Sequence, residues 1–289
     1  MYLFVAADGP RCDRMGEAEK CEAVRAIIQQ VDWDCEVKTL FRNENLGCGR
    51  AVSSAITWFF EHVEEGIILE DDCLPHPSFF AYCQELLEYY RDKDTVMQIG
   101  GNQLMQDLIL TDDSYCFSAL SQIWGWATWK TTWQQYKFDV NDIPLCRLKR
   151  YLKQFTKNKS IRRYWLWIYN VMKLKPIDTW DYQLIFSIWS NNGLSIVPTK
   201  NLVSNIGFGE DATHTLIDLT GKRANKLTYK IEILNHPSVL VQNRSIDETY
   251  CLNEGRTLTM VRYLYYLFRL HGRKICYSII QKCFAREQK

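Results

Sequence analysis

The stretch GIILEDDCLP, residues 66–75, joins an apolar segment directly to three consecutive carboxylates. Residues 67–69 are Ile-Ile-Leu, a short apolar run that is typical of a strand buried in a parallel sheet. Glu70, Asp71 and Asp72 follow at once, and burying such charges without partners is strongly unfavourable. Because ligands in open α/β sheets bind outside the carboxyl ends of strands, we expect a cation or water at this point. The alternative is a solvated acidic turn.

The surrounding sequence predicts that strands and helices alternate about every thirty residues. We predict strands at 2–7, 35–41, 66–69, 96–99, 115–118 and 194–197. We predict helices at 16–30, 51–62 and 78–89, and a further helix that Asp181 opens. This alternation indicates an α/β fold with a Rossmann-like, mostly parallel central sheet flanked by helices. Short strands at 229–234 and 239–242 are also expected.

Composition limits the class of protein. The 289 residues suffice for one large α/β domain with an appendage, and 47% hydrophobic with 24% charged residues is ordinary for a globular chain. A net charge of +1 argues against general nucleic-acid binding. Eleven cysteines without a C-x-x-C pair indicate reduced thiols in a cytoplasmic protein rather than disulfides or a zinc site. We see no leader-like segment and no apolar run of spanning length.

Four tryptophans, Trp124, Trp126, Trp129 and Trp133, lie within ten residues. The last three recur at helical spacing, so the plain interpretation is the packed face of a helix. The alternative is an aromatic platform, since flat apolar rings suit the C–H faces of sugars. Trp124 lies off the helical stripe and is therefore the better candidate for that role.

Two segments are strongly basic. Residues 144–176 hold ten Lys or Arg and no Asp or Glu, and from Arg256 onward eight basic residues face a single acid. Solvated helix faces explain both segments, and so does contact with an anion such as a diphosphate, an acidic acceptor or a membrane surface. We expect residues 221–289 to form a mostly helical, basic C-terminal extension with peripheral contact at the inner face of the membrane.

Two further polar residues are candidates for a site. Asp181 lies in the first turn of its predicted helix, where helix capping is the plain interpretation of an Asp. His214 belongs to a long polar loop at 201–215. A single His is usually structural, but one in such a loop can reach over a metal–phosphate site.

Six segments, taken together and in this order, resemble the GT-A glycosyltransferases of the nucleotide-diphospho-sugar transferase superfamily. They are AADGPR (6–11), NLGCGRAV (45–52), LEDDCLPHPSFF (69–80), WGWATW (124–129), TWDYQ (179–183) and NIGFGEDATHT (205–215). The chain is similar, more narrowly, to the bacterial family-2-like proteins of the hemolytic-protein-like group, and is reminiscent of the N-acetylglucosaminyltransferase I type. The segments are specific as a set and weak singly. The resemblance covers residues 2–215 and implies a GT-A domain at 1–220.

The resemblance implies how a nucleotide would be held. Asp8 would accept a hydrogen bond from the imide N–H of the base, expected to be uracil. The residues expected near the base or the phosphates are Gly9, Arg11, Asn45, Gly47 and Arg50.

The resemblance also implies the reactive part of the site. Asp72 would ligate Mn²⁺ or Mg²⁺, Glu70 and Asp71 would orient the ribose, the sugar or metal-bound water, and His214 would add a ligand or a phosphate contact. Asp181 takes the place of the general base. Candidates for contact with the acceptor are Trp124, Trp126 and Trp180.

The implied function is inverting, metal-dependent transfer of a sugar from a nucleotide-diphosphate donor, expected to be a UDP-sugar. The acceptor is a hydroxyl of a glycan or lipid-linked molecule in cell-surface polysaccharide biosynthesis. Two alternatives stay open: a nucleotide-sugar-binding protein without catalysis, and a sugar-1-phosphate nucleotidyltransferase. The second wants a Gly-rich, basic signature after the first strand, and no such segment occurs here. Relatives usually carry a strand and helix before the equivalent of Tyr2. Either the chain is an N-terminally shortened version, which would leave an exposed sheet edge and reduced donor affinity, or the sheet lacks an element that normally walls the nucleotide.

Overall fold

The computed structural model describes residues 1–103, 111–174, 177–208 and 225–271. Its strands are β1 Tyr2–Ala7, β2 Glu36–Phe41, β3 Glu65–Ile68, β4 Cys73–Pro75, β5 Val96–Gly100, β6 Tyr115–Ser118, β7 Trp126–Trp129, β8 Leu194–Pro198 and β9 Val203–Asn205. Its helices are α1 Glu17–Ala26, α2 Gly47–Phe60, α3 Ser78–Tyr90, α4 Lys130–Trp133, α5 Leu145–Phe155, α6 Lys159–Leu174, α7 Asp181–Ser190, α8 Arg244–Asn253 and α9 Met260–His271. The predicted α/β class is confirmed.

The central sheet is mixed rather than mostly parallel. Its five strands lie in the order β3-β7-β5-β8-β6, and only β5 and β8 pair in parallel. The difference comes from β6, which pairs antiparallel with β8, and from β7, which the spacing of its tryptophans assigned to a helix. All four of its residues are buried, and it inserts antiparallel between β3 and β5. A run of four apolar residues is too short to distinguish strand from helix by periodicity.

The first two strands form a separate parallel pair. Phe4 of β1 packs its ring against Phe59 of α2, with ring centroids 5.0 Å apart. The helix predicted at 16–30 is present as α1 and a following 3-10 turn, Ile27–Gln30, and none of the residues of these two elements is buried. Val24 and Ile27 are 62% and 57% exposed.

The core lies on both faces of the central sheet. On one face, α2 and α5–α8 bury an aromatic cluster in which Trp165 and Trp189 meet edge to face at 4.8 Å. On the other face, α3 buries Phe79, Tyr82 and Leu86 against β5, β6 and β8. Large buried rings fix α7 against the sheet, and α7 carries a candidate site residue at its start.

Residues 225–258 pack onto the sheet. The carboxylate of Asp247 in α8 is fully buried and accepts hydrogen bonds from Ser118 Oγ (2.5 Å), Ala119 N (2.9 Å) and Gln242 Nε2 (2.7 Å). The strands predicted at 229–234 and 239–242 are absent from this described stretch, where Gln242 makes an isolated bridge with Phe117. The boundary predicted at 220 falls outside the described residues. Within the described ranges, no helix combines the length and the apolar character that crossing a membrane requires.

A carboxylate cluster as candidate active site

The acids after β3 and the acid that opens α7 lie in one electrostatic neighbourhood. Glu70, Asp71 and Asp72 occupy the turn between β3 and β4, and Asp181 is the first residue of α7. The negative charges of Asp72, Asp71 and Asp181 all raise the pKa of Glu70. Asp71, Asp72 and Asp181 therefore all lie close enough to Glu70 to affect its charge. These are the four acids that the family resemblance assigned to the metal, the donor and the general base.

Glu70 is the most perturbed member of this group. Burial, followed by the charge of Asp72, raises its pKa to about 7, while a hydrogen bond from the Trp180 side chain acts in the opposite direction. Its Oε1 atom is buried without a hydrogen-bond partner among the described residues. A buried carboxyl oxygen without a donor beside other acids is unfavourable unless a proton or a cation compensates it.

Asp72 is enclosed by the chain that follows β9. Its main-chain oxygen accepts a hydrogen bond from Ile206 N (2.9 Å), and a Cβ added at Gly207 would lie 2.2 Å from Asp72 Oδ2. Cys73 Sγ lies 3.6 Å from Asp72 Oδ1. In the part of the chain that the structure describes, Asp72 takes part in no ion pair, so its charge is not neutralised by a neighbouring Lys or Arg.

Asp181 is half-buried, and its environment differs from that of a capping residue. The residue before the helix, Trp180, makes no side-chain cap bond, and Asp181 Oδ1 accepts a hydrogen bond from the hydroxyl of Thr179. The Tyr136 hydroxyl donates to the main-chain oxygen of Trp180 (3.2 Å), and burial together with the charge of Asp181 raises the pKa of Tyr136. The Thr179 hydroxyl thus contacts the Asp181 carboxylate directly, while Tyr136 supports the main chain just before it.

Two distant carboxylates bind the N-terminus of α2. Leu46 N donates to Asp8 Oδ1 and Oδ2 (3.0 Å each), and Gly47 N donates to Asp8 Oδ2 (3.2 Å). Cys48 N and Gly49 N donate to Asp178 Oδ2 (3.0 Å) and Oδ1 (2.8 Å). Carboxylates at this position satisfy otherwise unpaired N–H groups and interact favourably with the helix dipole. The clamp ties β1 and the segment before α7 to one helix end.

The glycines of the 45–52 segment are explained by this close approach. A Cβ added at Gly47, whose φ is +76°, would lie 2.5 Å from Asp178 Oδ2. A Cβ at Gly49 would lie 2.8 Å from the main-chain oxygen of Thr179. At the other side, Asn45 Nδ2 donates to Gly9 O (3.0 Å), and a Cβ at Gly9 would meet the Glu44 backbone at 2.4 Å.

The residues expected around a nucleotide therefore have protein partners in this structure. Asp8, Gly9, Asn45 and Gly47 build the α2 clamp, so the N–H groups that a phosphate would use at this helix end are already bound. Arg11 forms an ion pair with Glu17, and the Arg50 guanidinium lies over the ring of Phe138, 5.0 Å from its centroid. Nucleotide binding by these residues stays a prediction.

The three candidate acceptor tryptophans differ in burial. Trp126 and Trp180 are 0% and 2% exposed and stack on each other with centroids 5.7 Å apart, so neither presents a ring face to an acceptor. Trp124 is half-buried and meets Phe208 edge to face at 5.6 Å. Trp124 is therefore the candidate that a ligand can reach. His214 lies outside the described residues.

Sequence reasoning missed Asp178, Thr179 and Tyr136. Asp178 is three residues before Asp181 and exposed, so the sequence offers a second acid near the same helix start, but not its partners about 130 positions away. Thr179 orients Asp181, and Tyr136 supports the same segment through Trp180. No local pattern marks Tyr136.

The donor set of the cluster fits a hard divalent cation. Among the described residues, no group of three His, Cys, Asp or Glu side chains is arranged to hold a metal unaided. Magnesium characteristically binds one or two carboxylates together with substrate phosphates, and manganese accepts the same oxygen ligands. The buried, unpartnered Oε1 of Glu70 and the unneutralised charge of Asp72 are the features of this chain that such a cation would compensate.

Comparison of the chain with protein-family models gives no match, and comparison with curated proteins gives none. The chemical interpretation of the cluster rests on the residues themselves. The charges of three neighbouring acids help to raise the pKa of Glu70 to about 7, and this concentration of negative charge would repel an acidic ligand that came alone. A ligand that carries a divalent cation would be attracted there.

Proposed function

We propose that the chain is a metal-dependent glycosyltransferase of the GT-A class that moves a sugar from a nucleotide-diphosphate donor to a hydroxyl acceptor with inversion. The observation that carries the proposal is that Asp181, more than a hundred residues later in the chain, lies close enough to Glu70 for its charge to raise the pKa of Glu70, as the charges of Asp72 and Asp71 also do. The closeness of Glu70 and Asp181 supports a candidate cation site and a candidate base that act on one substrate. The six segments that resemble the family add to this support.

In the proposed reaction, Asp181 accepts the proton of the acceptor hydroxyl as the oxygen attacks the anomeric carbon of the sugar. The bond from that carbon to the diphosphate oxygen breaks, and its electron pair leaves with the diphosphate. A base opposite the leaving group implies inversion. Positioned general bases contribute on the order of 10²–10⁴ in rate. The Thr179 hydroxyl positions Asp181 by donating to Oδ1.

Asp72 is proposed to hold Mn²⁺ or Mg²⁺, with Glu70 and Asp71 orienting the ribose, the sugar or metal-bound water. When bound, such a cation stabilises the negative charge that grows on the departing diphosphate. The raised pKa of Glu70 means that this carboxyl is partly protonated near pH 7 without a cation. We propose that Trp124 provides the acceptor-side aromatic surface, and that the donor carries uracil.

Calorimetry with UDP in the presence and absence of Mn²⁺ is the first test, followed by a thermal-shift screen of nucleotide sugars. We expect UDP to bind only with the cation, because four acids otherwise repel a diphosphate. Absence of binding by any nucleotide under either condition would overturn the proposal. Binding without hydrolysis or transfer would favour a nucleotide-sugar-binding protein instead. Release of pyrophosphate from a nucleoside triphosphate and a sugar phosphate would favour a nucleotidyltransferase.

The Asp181→Asn variant separates a base from a structural residue. We expect sugar transfer to fall on the order of 10²–10⁴-fold while UDP–Mn²⁺ affinity and melting temperature stay close to those of the wild type. The matched control is Asp94→Asn, an exposed acid in the turn before β5. A lower melting temperature with unchanged transfer would mean that Asp181 serves the helix alone.

A further inference from the structure

The outer face of α5 is basic and carries no compensating acid. Arg147, Lys149, Arg150 and Lys153 are exposed, whereas the inward residues Leu148, Tyr151, Leu152 and Phe155 are buried. None of the ion pairs among the described residues includes these four cations. Along the sequence, residues 143–177 contain no Asp or Glu. Among the described residues, the helix therefore presents a positive surface that no ion pair neutralises.

The neighbouring helices place exposed apolar side chains beside this surface. Helix α6 packs against both α5 and α9. Helix α9 starts where Leu258 N donates to Ser160 O (3.0 Å), and Trp167 meets Tyr266 with centroids 4.9 Å apart, so α9 runs along α6 in the same direction. On α9, Val261 is 79% exposed and Tyr265 is 55% exposed. An α5–α6–α9 layer thus carries exposed cations on α5 and exposed apolar groups on α9.

We infer that this layer, defined by Arg147, Lys149, Arg150 and Lys153 of α5 with Val261 and Tyr265 of α9, is a docking surface for an anionic lipid bilayer. Membrane-surface helices combine Lys and Arg with aromatic and aliphatic side chains that enter the boundary between headgroups and acyl chains. A nucleic acid would use the cations but gain nothing from Val261 and Tyr265. A lipid surface uses both, so the observations favour it.

The location of the layer distinguishes it from the carboxylate cluster. Helix α5 packs on the C-terminal part of α7, where Tyr151 stacks on Trp189 at 5.5 Å and donates to Gly193 O (2.8 Å). Asp181 is at the opposite end of α7. Docking through α5 would therefore leave the cluster uncovered, and the inference does not depend on the proposed catalytic activity.

The test is co-sedimentation of the full chain with vesicles of phosphatidylcholine alone and of phosphatidylcholine with 30% phosphatidylglycerol. We expect binding to the anionic vesicles only, weakening as salt rises, because screening shortens electrostatic reach. The triple variant K149E/R150E/K153E should bind at least about a hundredfold more weakly, since each basic residue near such a surface contributes about fivefold. The matched control, K20E/K93E/K200E, reverses three exposed lysines elsewhere and should lose far less.

The apolar part is tested separately with V261S/Y265S, which keeps every charge. We expect several-fold weaker vesicle binding with unchanged binding to a DNA duplex of similar charge density. Equal loss in the K20E/K93E/K200E control would mean that only net charge matters and would overturn the assignment. If V261S/Y265S binds anionic vesicles as tightly as the wild type does, and the protein binds DNA as tightly as it binds vesicles, the layer is a general polyanion-binding surface instead. Circular dichroism of each variant verifies that the fold is retained.

Discussion

Replacing Glu70 with glutamine is expected to stabilise the metal-free protein at pH 8 and to have a much smaller effect at pH 5. Burial, followed by the charge of Asp72, raises the pKa of Glu70 from 4.5 to about 7. Between those values the unfolded chain has released the proton while the folded protein retains it. The contribution of Glu70 to stability is therefore fully present below pH 4.5 and is lost as the pH rises through about 7.

The size of the effect follows from the shift. Each pKa unit corresponds to about 1.4 kcal/mol, so a fully expressed shift of this size would cost the folded state about 3 kcal/mol at pH 8. Glu70 is only half-buried, and screening reduces the figure to about 2 kcal/mol. Glutamine removes the charge, keeps an acceptor for Trp180 and adds a donor toward the neighbouring acids. A gain of about 4–8 °C in melting temperature is expected at pH 8.

Urea and thermal unfolding in a chelating buffer from pH 5 to pH 8 measure this difference. The control Glu44→Gln removes an exposed loop carboxylate and should follow the wild type at every pH. Asp247, whose pKa is raised to about 6, titrates in both proteins and cancels from the comparison. A Glu70→Gln variant no more stable than the wild type at pH 8, or more stable by the same amount at pH 5, would refute the reasoning.

Three further substitutions test the clamp, the enclosure of Asp72 and the buried acid of α8. Asp178→Ala should lower unfolding free energy in urea by about 1–2 kcal/mol, because Cys48 and Gly49 lose their N–H acceptor, while Asp94→Ala should not. Gly207→Ala should weaken Mn²⁺ binding in calorimetry with UDP about 10- to 100-fold, since its Cβ would displace Asp72 Oδ2. Unchanged affinity would mean that the enclosure of Asp72 by Gly207 does not contribute to Mn²⁺ binding. Asp247→Ala should destabilise the protein by about 1–3 kcal/mol in urea unfolding, because buried groups of Ser118, Ala119 and Gln242 would lose their hydrogen-bond acceptor.

Strand ends were predictable from the sequence because a buried strand has to end where an apolar run meets charged residues. The boundaries of β1 and β3 came within one residue of the prediction, and the three carboxylates after β3 do lie outside the strand. The pairing of the strands was not predictable in the same way. Four buried residues at 126–129 carry no period, and nothing local shows that β7 enters between β3 and β5.

The hydrogen-bond partners of the charged residues could not be predicted from the sequence either. Asp8 was expected at a nucleobase, but its carboxylate accepts main-chain N–H groups from Leu46 and Gly47. Helix α2 requires acceptors at its first turn, and the chain supplies them from β1 and from Asp178 rather than from a capping Ser or Asn at its own start. Local propensity identifies the unpaired donors, but only the tertiary fold decides which distant acid meets them.

The carboxylates of this protein fall into two kinds, and the difference supports a ligand at the cluster. Asp247 is fully buried, and burial raises its pKa to about 6, but a hydroxyl, a main-chain N–H and an amide donate to it and act in the opposite direction. Glu70 has three acids as neighbours and a buried oxygen that no described group donates to. Glu70 lacks such a set of donors and keeps its proton only up to about pH 7, so above that pH we expect a cation, if one binds, to stabilise the folded protein.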